Sequence, residues 1–476
     1  MAALLAIAAG CHKVLGLDDY GVAPAGGDKC GTAPQTSEQL LNACASGTCL
    51  PFDDDARITA FDGSVRPPEP IDAGSDLGSD LGVDSGAPPD ADASVEVDSA
   101  PSGLPRCADL KPRPVFMHGS SAMALAFRQF AQGISSVATL VYRRDASCNG
   151  LDAILTGDTR STGTAQYWRV DSANTFECEL DPGGQGVDIG LCDAFPETCL
   201  PGLAGLPPEV GDFTGPVQTF MFTVPKTSTQ RSISAIGAYD VYGSGSASGV
   251  APWTDESFIF KRFEKSGTQL VLGASLGLPA EQWHGQRVTS SSDMKPRLLA
   301  SPSPEQTIGI TSADVADDVD ARSSLRTLAY RHFGQSCGYT PDSDLGSYDK
   351  RNVRDGHYFL WAPFHLYARV SGGAIADPIV RDVVNYLSGV KPLPDKNADV
   401  VATLKAGGLI PRCAMRVTRA KEGGALMPFA PHPSCACYFE AAAPSSAIDP
   451  GCKVCATDRD CPSARPSCSF GYCEPG

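Results

Sequence analysis

Basic residues are in deficit: 38 Lys and Arg stand against 55 Asp and Glu, leaving a formal net charge of -17. With no basic stripe to neutralise backbone phosphates, the composition argues against a nucleic-acid partner. It does not exclude a small anion, because local donors decide that binding. Long apolar runs are also missing. No stretch of about twenty apolar residues occurs, so no segment can cross a bilayer as a helix. Catalytic signatures are absent too: no Gly-x-Ser-x-Gly elbow, no His-Glu-x-x-His, no P-loop Lys. His118 lies beside Ser120 and Ser121, but adjacent side chains on a strand point apart. His357 and His365 fall in an aromatic-rich stretch that reads as core and interlobe packing. An enzyme is not expected, and no cofactor or metal is implied.

Cysteine, by contrast, is plentiful. Eighteen occur, with Cys30, Cys44 and Cys49 early and a late cluster from Cys413 to Cys473. That usage suggests an oxidising compartment. Cys452-x-x-Cys455 could begin a zinc site, but no second pair repeats the spacing and no His lies among the late cysteines, so disulfides are favoured. The apolar run Leu4 to Gly10 ends in small residues before Cys11, as at a bacterial lipoprotein cleavage site. Residues 1–11 therefore read as a signal segment with lipid attachment at Cys11, and membrane contact is expected through that anchor alone. The expected protein is a monomer, exported to the periplasm or cell surface.

Residues 12–65 form a small Cys-containing segment. Between 66 and 104 the composition shifts to Asp72, Asp76, Asp80, Asp84, Asp90, Asp92, Glu96 and Asp98 among Gly, Ser, Pro and Ala. Such a stretch cannot bury enough apolar surface to order itself and reads as a solvated tether. Its Asp spacing faintly suggests calcium, without the dense ligand loop that calcium requires. From 105 to 400 strands and helices alternate, which predicts an α/β fold with a largely parallel sheet. Strands are predicted at Val115–Met117, Ala138–Tyr142, Val187–Leu191, Thr219–Val224 and Phe359–Val370. Helices are predicted over Ala122–Ile134, Ser147–Leu155 and Ser232–Tyr242, from Ser266 onward, and over Ile379–Leu387. Residues 410–476 read as a Cys-rich appendix.

One stretch combines three anion-binding devices. Ser266 sits where a helix begins, so free N–H groups and the positive end of the dipole point outward. Gly267 lets a ligand oxygen approach the backbone, and Ser266 and Thr268 add hydroxyls. Arg262 offers a planar fork for two oxygens, and Glu264 could hold that fork in place. Taken alone, Ser-Gly-Thr is equally a plain helix cap.

Arg262-Phe-Glu264-Lys-Ser266-Gly267-Thr268 resembles the Arg-x-acidic-x-Ser-Gly-Thr of the phosphate-binding proteins of bacterial phosphate ABC transporters, type II periplasmic binding proteins. Three more segments are similar in the same order. These are Gly119-Ser120-Ser121-Ala122, then Tyr142 to Gly150 around Ser147, then Val187-Asp-Ile-Gly-Leu-Cys-Asp193-Ala194. The resemblance covers residues 112–395 and implies a two-lobe fold. Lobe one would hold 112–200 plus 325–395, and lobe two 205–320. It implies a phosphate-binding set of Ser121, Ala122, Ser147, Asp193, Arg262, Ser266, Gly267 and Thr268, supported by Ser120 and Glu264, and an ABC permease as a partner.

Ser121, Ser147 and Ser266 each precede a predicted helix, so three helix starts could converge on one anion. Asp193 fits only a ligand that still bears a proton, which favours phosphate over sulfate, molybdate or tungstate. Cys148 and Cys192 flank two of these positions and are candidates to pair. Two other classes stay open: a cell-surface interaction or sensing protein that keeps the fold without transport, and a phosphate-ester hydrolase.

Overall fold

A computed structural model describes residues 34–43, 48–59, 103–156, 161–172, 174–443 and 448–475. Cys11 and almost all of the acidic tether, residues 66–102, lie outside them. The architecture is α/β, with both lobes carried on one twelve-stranded sheet. Lobe one contributes β1 (Pro114–Ser120), β2 (Thr139–Asp145), β3 (Thr164–Trp168), β4 (Thr175–Glu179) and β5 (Ile189–Cys192). Lobe two contributes β6 (Val210–Pro225), β8 (Ile259–Lys261), β9 (Gln286–Arg287), β10 (Ile308–Ser312) and β11 (Leu325–Thr327). The long strand β13 (Trp361–Ser371) joins the halves by pairing with β5 on one side and β6 on the other.

Local sequence explains these elements. Helix Ala124–Ile134 buries Phe127, Phe130, Ala131 and Ile134, a helical spacing that points one apolar face at the sheet. Phe127 meets the Tyr142 ring edge-on, with centroids 4.9 Å apart. Strand β6 is buried without a break from Pro216 to Pro225, because sheet neighbours and packed layers cover both its faces.

Three expectations need correction. The sheet is mixed rather than largely parallel. β1 runs parallel to β2 and β5, and β10 to β8, but β13 is antiparallel to both its neighbours because the chain crosses between lobes on reversed strands. The expected helix Ser232–Tyr242 begins as β7 (Ser232–Ser234), paired with β12 (Ala329–Arg331), and turns helical only after Ser234 caps Gly237 N–H at 2.9 Å. Residues 325–331 belong to lobe two, since β11 pairs β6 and β12 pairs β7; the return to lobe one comes at β13.

The flanking segments pack on the two-lobe body, and the tail is stapled as its cysteines suggest. Helix Ser37–Asn42 carries a capping box from Thr36 and buries Leu40 and Leu41, and Cys49 is bonded to Cys337. The tail is stapled by Cys413–Cys435, Cys437–Cys452, Cys455–Cys468 and Cys461–Cys473, which gives Cys452 and Cys455 separate disulfide partners instead of a zinc ion. Seven disulfides join all the described cysteines but Cys192, a content that belongs to an exported protein. Among the described residues no helix is long and apolar enough to cross a membrane.

The tail grips the body through charge as well. Arg354 Nη1 donates to Glu440 Oε1 at 3.0 Å with both side chains wholly buried, and Arg351 adds a bond to the other oxygen at 2.8 Å. A loop of the tail also straddles the lobes. Glu422 accepts the Phe195 N–H at 2.9 Å on the lobe-one side. Gly423, at φ +63°, packs against the backbone of Ala274 in lobe two, where a Cβ would meet the Ala274 carbonyl at 2.4 Å. Removing one partner of a buried pair strands the other charge. Arg354→Met is therefore expected to cost about 3–5 kcal/mol in urea denaturation; a change under about 1 kcal/mol would show that the pair does not anchor the tail.

Candidate functional site

The site forms where four chain segments meet at the seam between lobes. β1 passes through Gly119, whose φ of +129° and closeness to the Leu191 carbonyl (2.0 Å from an added Cβ) admit only glycine, and ends at Ser120. The chain then turns through Ser121 into helix Ala124–Ile134. β2 ends at Asp145 and Ser147 opens helix Ser147–Leu155. β5 delivers Asp193, and β8 leads through Arg262 to Ser266, the N-cap of helix Gly267–Leu276. The helical turns that follow β1, β2 and β8 begin at one pocket, which concentrates N–H groups and positive dipole ends there.

One small pocket brings together Ser120, Ser121, Ala122, Ser147 and Asp193 from lobe one with Arg262, Ser266, Gly267 and Thr268 from lobe two. All nine but Ser121 are buried. Glu264 does not line the pocket and does not hold Arg262. The guanidinium instead donates from Nη1 to Ser291 Oγ at 2.9 Å and from Nη2 to the Thr289 carbonyl at 3.3 Å, because the turn into helix Ser291–Leu299 lies across from it. Ser291 and Ser312 also line the pocket, and the sequence reading did not single them out. Ser291 could have been found from the Ser290-Ser291-Ser292 run before a helix, a capping signature. Ser312 ends a wholly buried strand, and nothing local marks it.

The lobes touch directly. Gly267 N–H donates to Ser147 Oγ at 3.2 Å, joining the start of one helix to the start of another. An added Cβ on Gly267 would stand 1.8 Å from Asp193 Oδ1 and 2.5 Å from Ser147 Oγ, so no side chain fits there. Ser120 Oγ donates to Asp193 Oδ2 at 3.0 Å, while Oδ1 is buried and makes no hydrogen bond within 3.5 Å, the pull of the Ser147 hydroxyl on this carboxyl being a longer-range one. Arg262 Nε is likewise buried and unpartnered. Such orphaned polar atoms are uncommon and here sit in one cleft, one acceptor and one donor.

Electrostatics follow from that burial. Desolvation pushes the Asp193 carboxyl above the usual range, while the Ser147 and Ser120 hydroxyls and Arg262 pull back. Desolvation lowers Arg262 to about 10, against the pull of Asp314, Asp193 and Asp293. At Asp145 burial raises the pKa, but His118 at 3.0 Å and the Ala146 N–H outweigh it and hold the group at about 2.

Cys148 and Cys192, candidates to pair, are not bonded to each other. Cys148 is bonded to Cys199, whose loop approaches helix Ser147–Leu155, and Cys192 keeps a buried free thiol with its Sγ 3.3 Å from that of Cys199.

No family model and no curated protein matches this chain. Similar solved structures include an ABC-type phosphate transport receptor from Vibrio cholerae, 14% identical, covering 58% of this chain and 93% of that one at a TM-score of 0.37. A high-affinity periplasmic phosphate-binding protein bound with phosphate is 13% identical, covering 63% and 90% at 0.41. A reduced OxyR regulatory domain from Pseudomonas aeruginosa is 10% identical, covering 57% and 96% at 0.32. Identities this low carry no ligand from one chain to another.

Burial pushes the Cys192 thiol well above its ordinary value, with Asp193 adding to the effect, so the nucleophilic thiolate is scarce at neutral pH. Peptide mapping after alkylation should find Cys192 unlabelled in the native protein and labelled in denaturant. Prompt labelling of the native thiol would contradict the burial.

Proposed function

We propose that the chain is an extracytoplasmic solute-binding protein that takes a small oxyanion, phosphate, between its lobes. The observation that carries this reading is the seam itself: helix starts at Ser121, Ser147 and Gly267, a buried guanidinium with a spare donor, and a buried carboxylate with a spare acceptor. N–H groups, hydroxyls and Arg262 would take the anion's oxygens. Asp193 would take the proton of a ligand that still carries one, and would repel a fully ionised one. Contacts from both lobes would make the ligand stabilise the closed arrangement. On this reading Cys11 supplies a lipid anchor and an ABC permease receives the anion.

A second reading, sensing or retention without transport, is favoured by the tail loop. Glu422 and Gly423 touch opposite lobes beside the seam and oppose wide opening.

Calorimetric titration of the full chain with inorganic phosphate is expected to show one site, weakened on the order of a hundredfold or more by Arg262→Ala. Unchanged affinity in that variant would reject the site. Small-angle scattering separates the two readings: contraction on adding phosphate fits an opening and closing transport protein, and an unchanged radius of gyration fits a retained closed form.

A further inference from the structure

The pocket is poor in cations for an anion site. Arg262 is the single cationic side chain among its lining residues, against the carboxylates of Asp145 and Asp193. A third acid stands just behind. Asp314, partly buried after β10, accepts the Ser312 hydroxyl on Oδ1, and Gln218 Nε2 donates to the same oxygen at 2.9 Å.

This fixes the direction of two hydroxyls. Ser120 gives its proton to Asp193 and Ser312 gives its own to Asp314. Each hydroxyl oxygen then has only lone pairs left for anything in the cleft. The cleft thus presents two groups that can only accept a hydrogen bond, at separate places: Asp193 Oδ1 beside Gly267, and Ser312 Oγ at the end of β10. A bare oxyanion oxygen facing either would meet lone pairs with no proton between them, and desolvated lone-pair clashes are costly.

We propose that Ser312, oriented by Asp314, is a second hydrogen-bond acceptor for the ligand, so that the cleft selects a singly charged oxyanion carrying two hydroxyl protons. This rests on the anion-binding reading above and narrows its substrate class to species such as dihydrogen phosphate. Ser312 is the contact residue and Asp314 its positioning residue. The charge count agrees: a dianion would enter a pocket whose carboxylates already outnumber its guanidinium, and a monoanion faces less repulsion.

A pH dependence follows. The charged and titratable groups around Asp314 are Asp193 beyond β5, Arg262 beyond β8, and Tyr142 on β2, with Gln218 on β6 as its neutral partner. Desolvation, with Asp193 adding to it, raises Asp314 to about 6 against Ser312 and Gln218. Above that value the carboxylate is ionised and repels the anion; below it the carboxyl is neutral. Phosphate itself gains a second charge near neutrality, so both changes weaken binding as pH rises.

The test is calorimetry of the full chain with inorganic phosphate and with sulfate, at about pH 6 and about pH 8. The wild type should bind phosphate more tightly at the lower pH and sulfate weakly at both. Ser312→Ala should weaken phosphate roughly tenfold, whereas sulfate, which has no proton to give and loses only a lone-pair clash, should bind no more weakly than to the wild type. Asp314→Asn, isosteric and still able to accept from Gln218, should strengthen sulfate roughly tenfold and flatten the phosphate pH dependence. Melting temperatures near wild type confirm folding of both variants. Equal effects on the two anions, or none in either variant, overturn the inference while the anion site stands. If the wild type binds neither anion, the anion-binding reading falls, and this inference with it.

Discussion

Carrying two lobes on one sheet leaves one seam where they meet, and at that seam the chain buries Asp193 within electrostatic reach of Arg262. Everything else in the cleft follows from making that burial tolerable. A carboxylate out of water needs donors, and Ser120 supplies one. A guanidinium out of water needs acceptors, and the Thr289 carbonyl and Ser291 supply them. Each group keeps a buried atom without a partner, Arg262 Nε and Asp193 Oδ1. In a purely structural ion pair those atoms would be spent on each other. Here they are not, and the Gly267 N–H is spent on Ser147 in the same pocket.

Much of this arrangement was legible in the sequence because it is written in short segments. Ser147 opens its helix and Ser266 caps the next, as their position after apolar strands predicted. Glycine at 267 was read as a close approach of ligand to backbone. The structure shows a closeness of another kind, to Asp193 and Ser147, that equally leaves no room for a side chain. What was not legible depends on distant partners. Ser312 and Ser291 reach the pocket only because β10 and helix Ser291–Leu299 pack beside β8. Glu264, two residues from Arg262, looked like its partner on proximity in sequence, yet the guanidinium turns to residues 27 and 29 positions away. Whether Cys148 pairs with Cys192 was open for the same reason: its partner, Cys199, sits on a short helix 51 residues away whose approach no local signal marks.

The flanks change the mechanical picture. Disulfides, the buried Arg354–Glu440 pair and the Glu422 loop make the tail part of the two-lobe body rather than an attachment. Hinge opening in such a fold needs few contacts across the seam. This chain adds contacts there, so the energy separating closed from open arrangements should exceed that of a body with free ends. Whether the protein delivers its ligand or holds it depends on that difference.

The most direct measurement is a crystal structure of the full chain grown with phosphate. The account predicts tetrahedral density at the seam, with oxygens bonded to Arg262 and to the helix starts at Ser147 and Gly267, one hydroxyl against Asp193 Oδ1, and the Gly267 N–H turned from Ser147 to the ligand. Density elsewhere, with the Gly267–Ser147 bond intact and Asp193 Oδ1 still unpartnered, would contradict it.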